Sequence, residues 1–188
     1  EFLPLYLLIS QTFPFNNDTA FFDPTENEPY LGATDFYLTL LRNPETSTQI
    51  YEAVYPYISE GILNENLNYR GSVMLLLSYT MRFLEKEIVK QTIDISVLLQ
   101  CLTQTLNSEF CHIRYFSLQV LFSTIKIFPD IQLYLPFIDC LFYMINDAEH
   151  IALLALSTLR LISGNEKFEN LDSYFQTITT LLTPESFF

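Results

Sequence analysis

The sequence predicts an all-α chain, in which helical hairpins stack side by side into a right-handed solenoid. Three observations carry this. From Gln49 onward, apolar residues return at the spacing of a helix buried on one face. Polar turns after Leu63, Leu106 and Ile145 interrupt that pattern at a nearly constant interval. Two of the stretches that follow such turns, HIRYFSLQVLFSTIKIF (112–128) and HIALLALSTLRLIS (150–163), both open on His-Ile and begin at matching points of that interval. A single hairpin cannot bury its apolar face alone, so repeated hairpins stack.

The first helix of the series carries Ile50, Val54, Tyr57, Ile58 and Ile62, and Pro56 within it predicts a kink or a late start. Asn64-Glu65-Asn66 turn the chain. A second helix then spans about 68–86 through Val73, Met74, Leu77, Met81 and Leu84. Asp94 stands where an N-cap belongs, before a helix through Ile95, Leu98, Leu99, Leu102 and Leu106. Asn107-Ser108-Glu109 make the next turn, and the helix after it ends before Pro129. Asp130 can cap a helix through Leu133, Phe137, Ile138, Leu141 and Ile145. Residues 146–149 lead into a helix that stops at Gly164, a residue type suited to a helix C-terminus. A last, unpaired helix covers about 171–182, before Pro184. The total is about three hairpins plus one C-terminal helix, within 49–188.

A hairpin repeat of about 40 residues is the signature of HEAT and armadillo arrays. The segments LLQCLTQTLNSEFCHIRYFSLQVLFSTI (98–125) and FIDCLFYMINDAEHIALLALSTLRLI (137–162) resemble HEAT repeats. In that family the first helix ends in Leu and an Asn/Asp turn follows. The second helix opens with Val/Ile-Arg, then Ala and Leu. Ile113-Arg114, Ser117 and Leu118 match in one unit, and Asp147, Ile151, Ala155 and Leu156 in the next, where Ala152 takes the arginine position. An earlier unit matches through Arg70, behind a longer turn, so the resemblance spans roughly 49–182. Ser117 and Ala155 are small where one helix crosses its neighbour, as close packing requires.

The resemblance implies that second helices line a concave face where partners bind. Arg70, Tyr79, Arg82, Lys86, Arg114, Tyr115, Gln119 and Lys126 lie on those helices. Tyr and Arg are residue types favoured at binding hot spots, so this stripe is the expected partner-binding site, suited to an acidic or aromatic segment. The implied function is a non-enzymatic scaffold or adaptor that binds other proteins. Two narrower alternatives resemble it: a piece of an importin/exportin-like nuclear transport receptor carrying basic cargo, or of a phosphatase regulatory subunit.

Composition narrows the classes further. Of 188 residues, 49% are hydrophobic and only 16% charged, so apolar surface is plentiful and solubilising charge scarce. The formal net charge is −13, of which −6 falls ahead of Arg42, the first basic residue. That balance argues against nucleic acid and anionic membrane surfaces, and a basic protein partner fits it better. The four glycines form no phosphate-cradling loop. The apolar run 3–9 is too short to span a bilayer and is a poor signal peptide. In 116–145, Lys126, Pro129, Asp130, Pro136 and Asp139 break the apolar run into two helices, so direct membrane insertion is not expected.

Cys101, Cys111 and Cys140 are odd in number, lack C-x-x-C spacing and sit in apolar runs. They read as reduced, buried thiols of an intracellular protein, cytoplasmic or nuclear. The sequon Asn17-Asp18-Thr19 points the other way. His112 and His150 occupy equivalent repeat positions, which favours a structural role over catalysis, and neither forms a metal-ligand pair. Cys111 and His112 are helix neighbours pointing in different directions. An enzyme using Cys111 and His112 across repeats is the alternative of a different class. Glu85/Glu87 and Glu166/Glu169 read as solvated surface. No cofactor or metal is expected.

Residues 1–48 form a separate acidic, aromatic segment, mostly loop. The stretch 13–32 carries Pro14, Pro24 and Pro29 without helical period, and short helices are expected at 3–9 and 35–42. For FNNDTAFFDPTENEPYLGATDF (15–36), a cap on the chain's own solenoid, a docking peptide and disorder all remain open. The chain lacks an initial Met, Glu1-Phe2 reads as a cloning remnant, and the unpaired last helix points to a longer natural protein. Pairing of solenoid ends into a homodimer is a further expectation.

Overall fold

A computed structural model of the chain describes residues 29–164, and the side chains of all of these but 29–35, 44, 63, 67 and 68. The expected helices at 3–9 and 171–182, the Asn17 sequon, the Glu166/Glu169 pair and most of the 15–36 stretch lie outside the described residues. Among the described residues there are eight α-helices, one 3-10 helix and no strand, so the chain is all-α. It divides into two compact units, 1–128 and 129–188.

In the first unit, α1 spans Pro29–Arg42 and α2 spans Pro44–Leu63. α1 begins well ahead of the expected 35–42 helix. Pro29, the first described residue, is helical. α2 likewise begins before Gln49. Asn43 Oδ1 accepts from the Glu45 N–H at 3.0 Å, and Pro44 takes the first helical position. Pro56 lies inside a helix that runs on to Leu63.

α3 spans Leu67–Phe83 and is buried on almost every side, from Arg70 to Ser78 without a break. Such a helix is surrounded by others. It packs against α1, α2 and α6 (Cys111–Ile127), and its contact with α6 is the most extensive in the chain. Val73, Met74 and Leu77 of α3 are fully buried, each contributing about 1.5–3 kcal/mol. Tyr37 of α1 reaches Thr80 of α3 with a 2.7 Å hydroxyl–hydroxyl bond. The helix ends at Phe83, short of Lys86. A separate helix, α4 (Lys86–Thr92), stands where the sequence predicts a linker. It packs on α6, and Thr92 ties it to α2: its hydroxyl bonds that of Tyr51, and its carbonyl accepts from the Tyr55 hydroxyl.

α5 (Ile95–Thr105) starts as expected on Asp94, whose Oδ1 accepts from the N–H groups of Ser96 and Val97 at 2.9 and 3.3 Å. α5 packs on α6, as α2 does on α3. α2 also packs against α5, so in this unit first helices meet first helices and second helices meet second helices. Ser117 is fully buried on α6.

In the second unit, Asp130 caps a 3-10 helix (Ile131–Phe137) by accepting from the Gln132 N–H at 3.2 Å. The α-helix expected here begins only afterwards, as α7 (Ile138–Met144). Pro136 explains the delay: its ring removes one donor and disfavours α geometry at Leu135. α7 packs on α8 (Glu149–Ser163) around Leu141, Met144, Ile151 and Ala155. α8 stops at Gly164, but with φ −70°, so the glycine ends the helix without the left-handed geometry that usually selects it. Among the described residues no helix is long and apolar enough to cross a membrane.

Candidate functional site

The eight residues expected to line a binding face divide into two groups. Arg70 and Arg114 sit near the start of second helices and reach back to their own hairpin turns. Arg70 is buried; its Nε donates to the Asn64 carbonyl at 2.9 Å and its Nη1 to Gln104 Oε1 at 2.8 Å. Arg114 Nη1 donates to the carbonyls of Ser108 and Glu109 at 2.8 and 2.9 Å. The two arginines therefore perform the same task in successive hairpins, saturating carbonyls that a helix-to-helix turn leaves exposed. Tyr79, Tyr115 and Gln119 are half-buried, with the Tyr115 ring tilted against Phe116 at 5.4 Å.

The second group comes together. Arg82 in the last turn of α3, Lys86 in the first of α4 and Lys126 in the last of α6 are exposed and adjacent. Lys86 Nζ donates to the Lys126 carbonyl at 3.4 Å. Lys126 Nζ lies 3.8 Å from the centre of the Phe122 ring. Partial burial, then the nearby charges of Arg82 and Lys86, hold the Lys126 ammonium below the usual lysine range.

Sequence reasoning missed three members. Arg42, in the last turn of α1, lies over the Phe83 ring at 5.2 Å, and Arg82 lies over the same ring at 5.5 Å. Phe122 completes the set. The available signal was positional: Arg42, Arg82 and Lys126 each stand in the last turn of a helix, where a cation complements the helix dipole. Among the described residues the ion pair found is Lys90–Glu87 at 2.8 Å, and it involves none of these four cations.

Cys111 and His112 are both buried. Burial, and Arg114 beside it, push His112 down to about 4, so the imidazole is neutral at ordinary pH. Its ring stands 5.8 Å from that of Phe110. Burial pushes the Cys101 thiol up to about 11, far from a reactive thiolate. Among the described residues no group of three or more His, Cys, Asp or Glu is placed to hold a metal ion. Glu85 and Glu87 are exposed, and Glu87 is engaged by Lys90. Compared with known proteins, the chain matches no family model, no curated protein and no solved structure.

Proposed function

We propose that this chain is a non-catalytic, protein-binding module built on HEAT/armadillo-like hairpins, part of a right-handed solenoid acting as a scaffold or adaptor. The observation that carries the reading is the pairing of like with like: α2 on α5 and α3 on α6. Hairpins stacked in that way are how a solenoid is built. α3 is itself covered by α1, α2 and α6, so what the second helices offer a partner lies at their exposed ends, Arg82 and Lys126. The twin turn-bracing arginines, Arg70 and Arg114, support the same repeat register. For the third hairpin the reading rests on sequence register, through His112 and His150. Burial of Cys111 and His112 away from any substrate weighs against chemistry there. Buried thiols at Cys101 and Cys111 favour an intracellular setting.

The test is affinity capture from source-cell lysate with the full chain as bait, at low and high salt, followed by reconstitution with the purified partner. Reversal of Arg70 or Arg114 would perturb hairpin turns, so the informative variants carry glutamate at Arg82 and Lys126. The proposal expects a stoichiometric partner that persists at high salt. Recovery of basic proteins at low salt alone would mean that the −13 charge collects them nonspecifically, and would overturn it.

A further inference from the structure

Among the described residues of this acidic chain, exposed basic side chains gather in a cluster. Arg42, Arg82, Lys86 and Lys126 are four of nine basic residues, brought together from four helices. The connections run from ring to ring. Phe83 lies under both Arg42 and Arg82, and Phe122 under Lys126, whose carbonyl accepts from Lys86. Helix dipoles account for part of this arrangement. The C-termini of α1, α3 and α6 each present roughly half a unit of negative charge. Four full cations exceed that sum, and of the two carboxylates at the start of α4, Glu87 is held by Lys90 and Glu85 alone remains. The four cations are exposed, none is in the ion pair found among the described residues, and three of them lie over aromatic faces.

We propose that this basic–aromatic cluster is a docking site for a short, carboxylate-rich segment of a partner protein; this rests on the protein-binding reading above and assigns the partner's chemistry. Guanidinium groups lying over a ring keep their N–H edges available, and those edges match a carboxylate in bidentate geometry. Phe83 and Phe122, both half-buried, offer apolar surface beside the charges for an aromatic or aliphatic flank of the segment. Crowding of Lys126 by Arg82 and Lys86 is relieved when a carboxylate enters. The overall charge selects the kind of anion. A nucleic acid or an anionic bilayer presents an extended field to the whole molecule, which at −13 repels it. A short segment meets only the local field, since charges beyond about 8 Å are screened at physiological salt.

The experiment is a fluorescence-anisotropy titration of the full chain with a fluorescein-labelled peptide of glutamates around a central tyrosine. A lysine-for-glutamate peptide, phosphatidylserine vesicles and single-stranded DNA serve as competing probes. The variants are R82E, K126E and the milder K126Q. R160E makes the same charge change at an exposed arginine of the second unit. Saturable binding of the glutamate peptide is expected, weakened about tenfold or more by R82E or K126E and less than twofold by R160E, and falling with salt. Equal losses in all three reversals would reduce the effect to general charge and overturn the site. Tighter, cluster-dependent binding of vesicles or DNA would overturn the assignment to an acidic peptide. Capture of a stoichiometric protein partner that survives both R82E and K126E would remove this site while leaving the protein-binding reading intact.

Discussion

At Gly61, α2 leaves no room for a side chain against Val73 and Tyr69 of α3, which gives a sharp test of their packing. A Cβ at Gly61 would sit 2.1 Å from Val73 Cγ2 and 2.9 Å from Tyr69 Cε1. Val73 is fully buried and β-branched, so on a helix it has one strongly favoured rotamer and cannot swing aside. In an exposed helix, Gly→Ala gains up to about 1 kcal/mol of propensity. Here the inserted methyl overpacks the core, which costs about 1–3 kcal/mol. The balance for Gly61→Ala is a net loss of about 1 kcal/mol, opposite in sign to a surface glycine. Val73→Ala alone removes two buried methyl groups and destabilises by about 2 kcal/mol. Made together, the two alanines remove the 2.1 Å clash and leave Tyr69 Cε1 at 2.9 Å and the Cβ of residue 73 at 3.1 Å to give way, so the double variant should lose less than the sum of the singles. The expected coupling is about 1–3 kcal/mol in favour of the pair. Urea unfolding followed by far-UV circular dichroism supplies the four stabilities. A stabilising Gly61→Ala, or a double variant whose loss is the plain sum of the singles, would show that the helices stand farther apart than described.

Further expectations use the same assay. Gly164→Ala should change stability by less than about 0.5 kcal/mol, because φ there is −70°; a left-handed cap would lose more. Arg70→Ala should cost about 2–3 kcal/mol, since it strands the Asn64 carbonyl and Gln104, whereas Arg82→Ala should stay within about 0.5 kcal/mol. His112 titrates near 4 when folded and near 6.5 when unfolded, so below 6.5 the unfolded chain takes up the proton first. Stability should fall as pH drops from 6.5 toward 4, by roughly 3 kcal/mol at most, and His112→Gln should flatten that part of the profile. An unchanged slope in His112→Gln would assign the acid sensitivity to other groups.

The helices legible from sequence are the long ones with a buried stripe, such as α5 with Leu98 and Leu102, or α6 with Ile113, Val120 and Leu121. Their caps are legible too, because Asp94 and Asp130 each precede an apolar period. What escapes has physical causes. α4, KEIVKQT, is too short to display a period, and Val89 is its buried anchor. Pro29 reads as a breaker, yet it is helical, and Pro44 opens α2, where a proline loses no hydrogen bond. The 3-10 turn at Ile131–Phe137 keeps a helical spacing of apolar residues, and only the ring of Pro136 distinguishes it. At the site, residue type is readable and assignment is not. Arg70 and Arg82 are both cations on α3, but one lies beside its hairpin turn and the other at the far end of the helix. Arg42 falls in the segment set apart as acidic, so its meeting with Arg82 over Phe83 required the tertiary contact between α1 and α3.

The protein-binding role proposed for this chain depends on second helix stacking on second helix. Its most direct test is a methyl-labelled nuclear Overhauser spectrum of the deuterated protein. Thr124 Oγ1 of α6 lies 3.6 Å from Met81 Sδ of α3, so the Met81 and Thr124 methyl groups should share a cross-peak. Val120 and Thr124, one turn apart on α6, supply the internal reference, since Thr124 Oγ1 donates to the Val120 carbonyl at 2.7 Å. A Met81–Thr124 cross-peak alongside the Val120–Thr124 reference is the predicted result. The reference peak without the Met81–Thr124 peak would contradict the stacked hairpins and, with them, the binding surface built on α3 and α6.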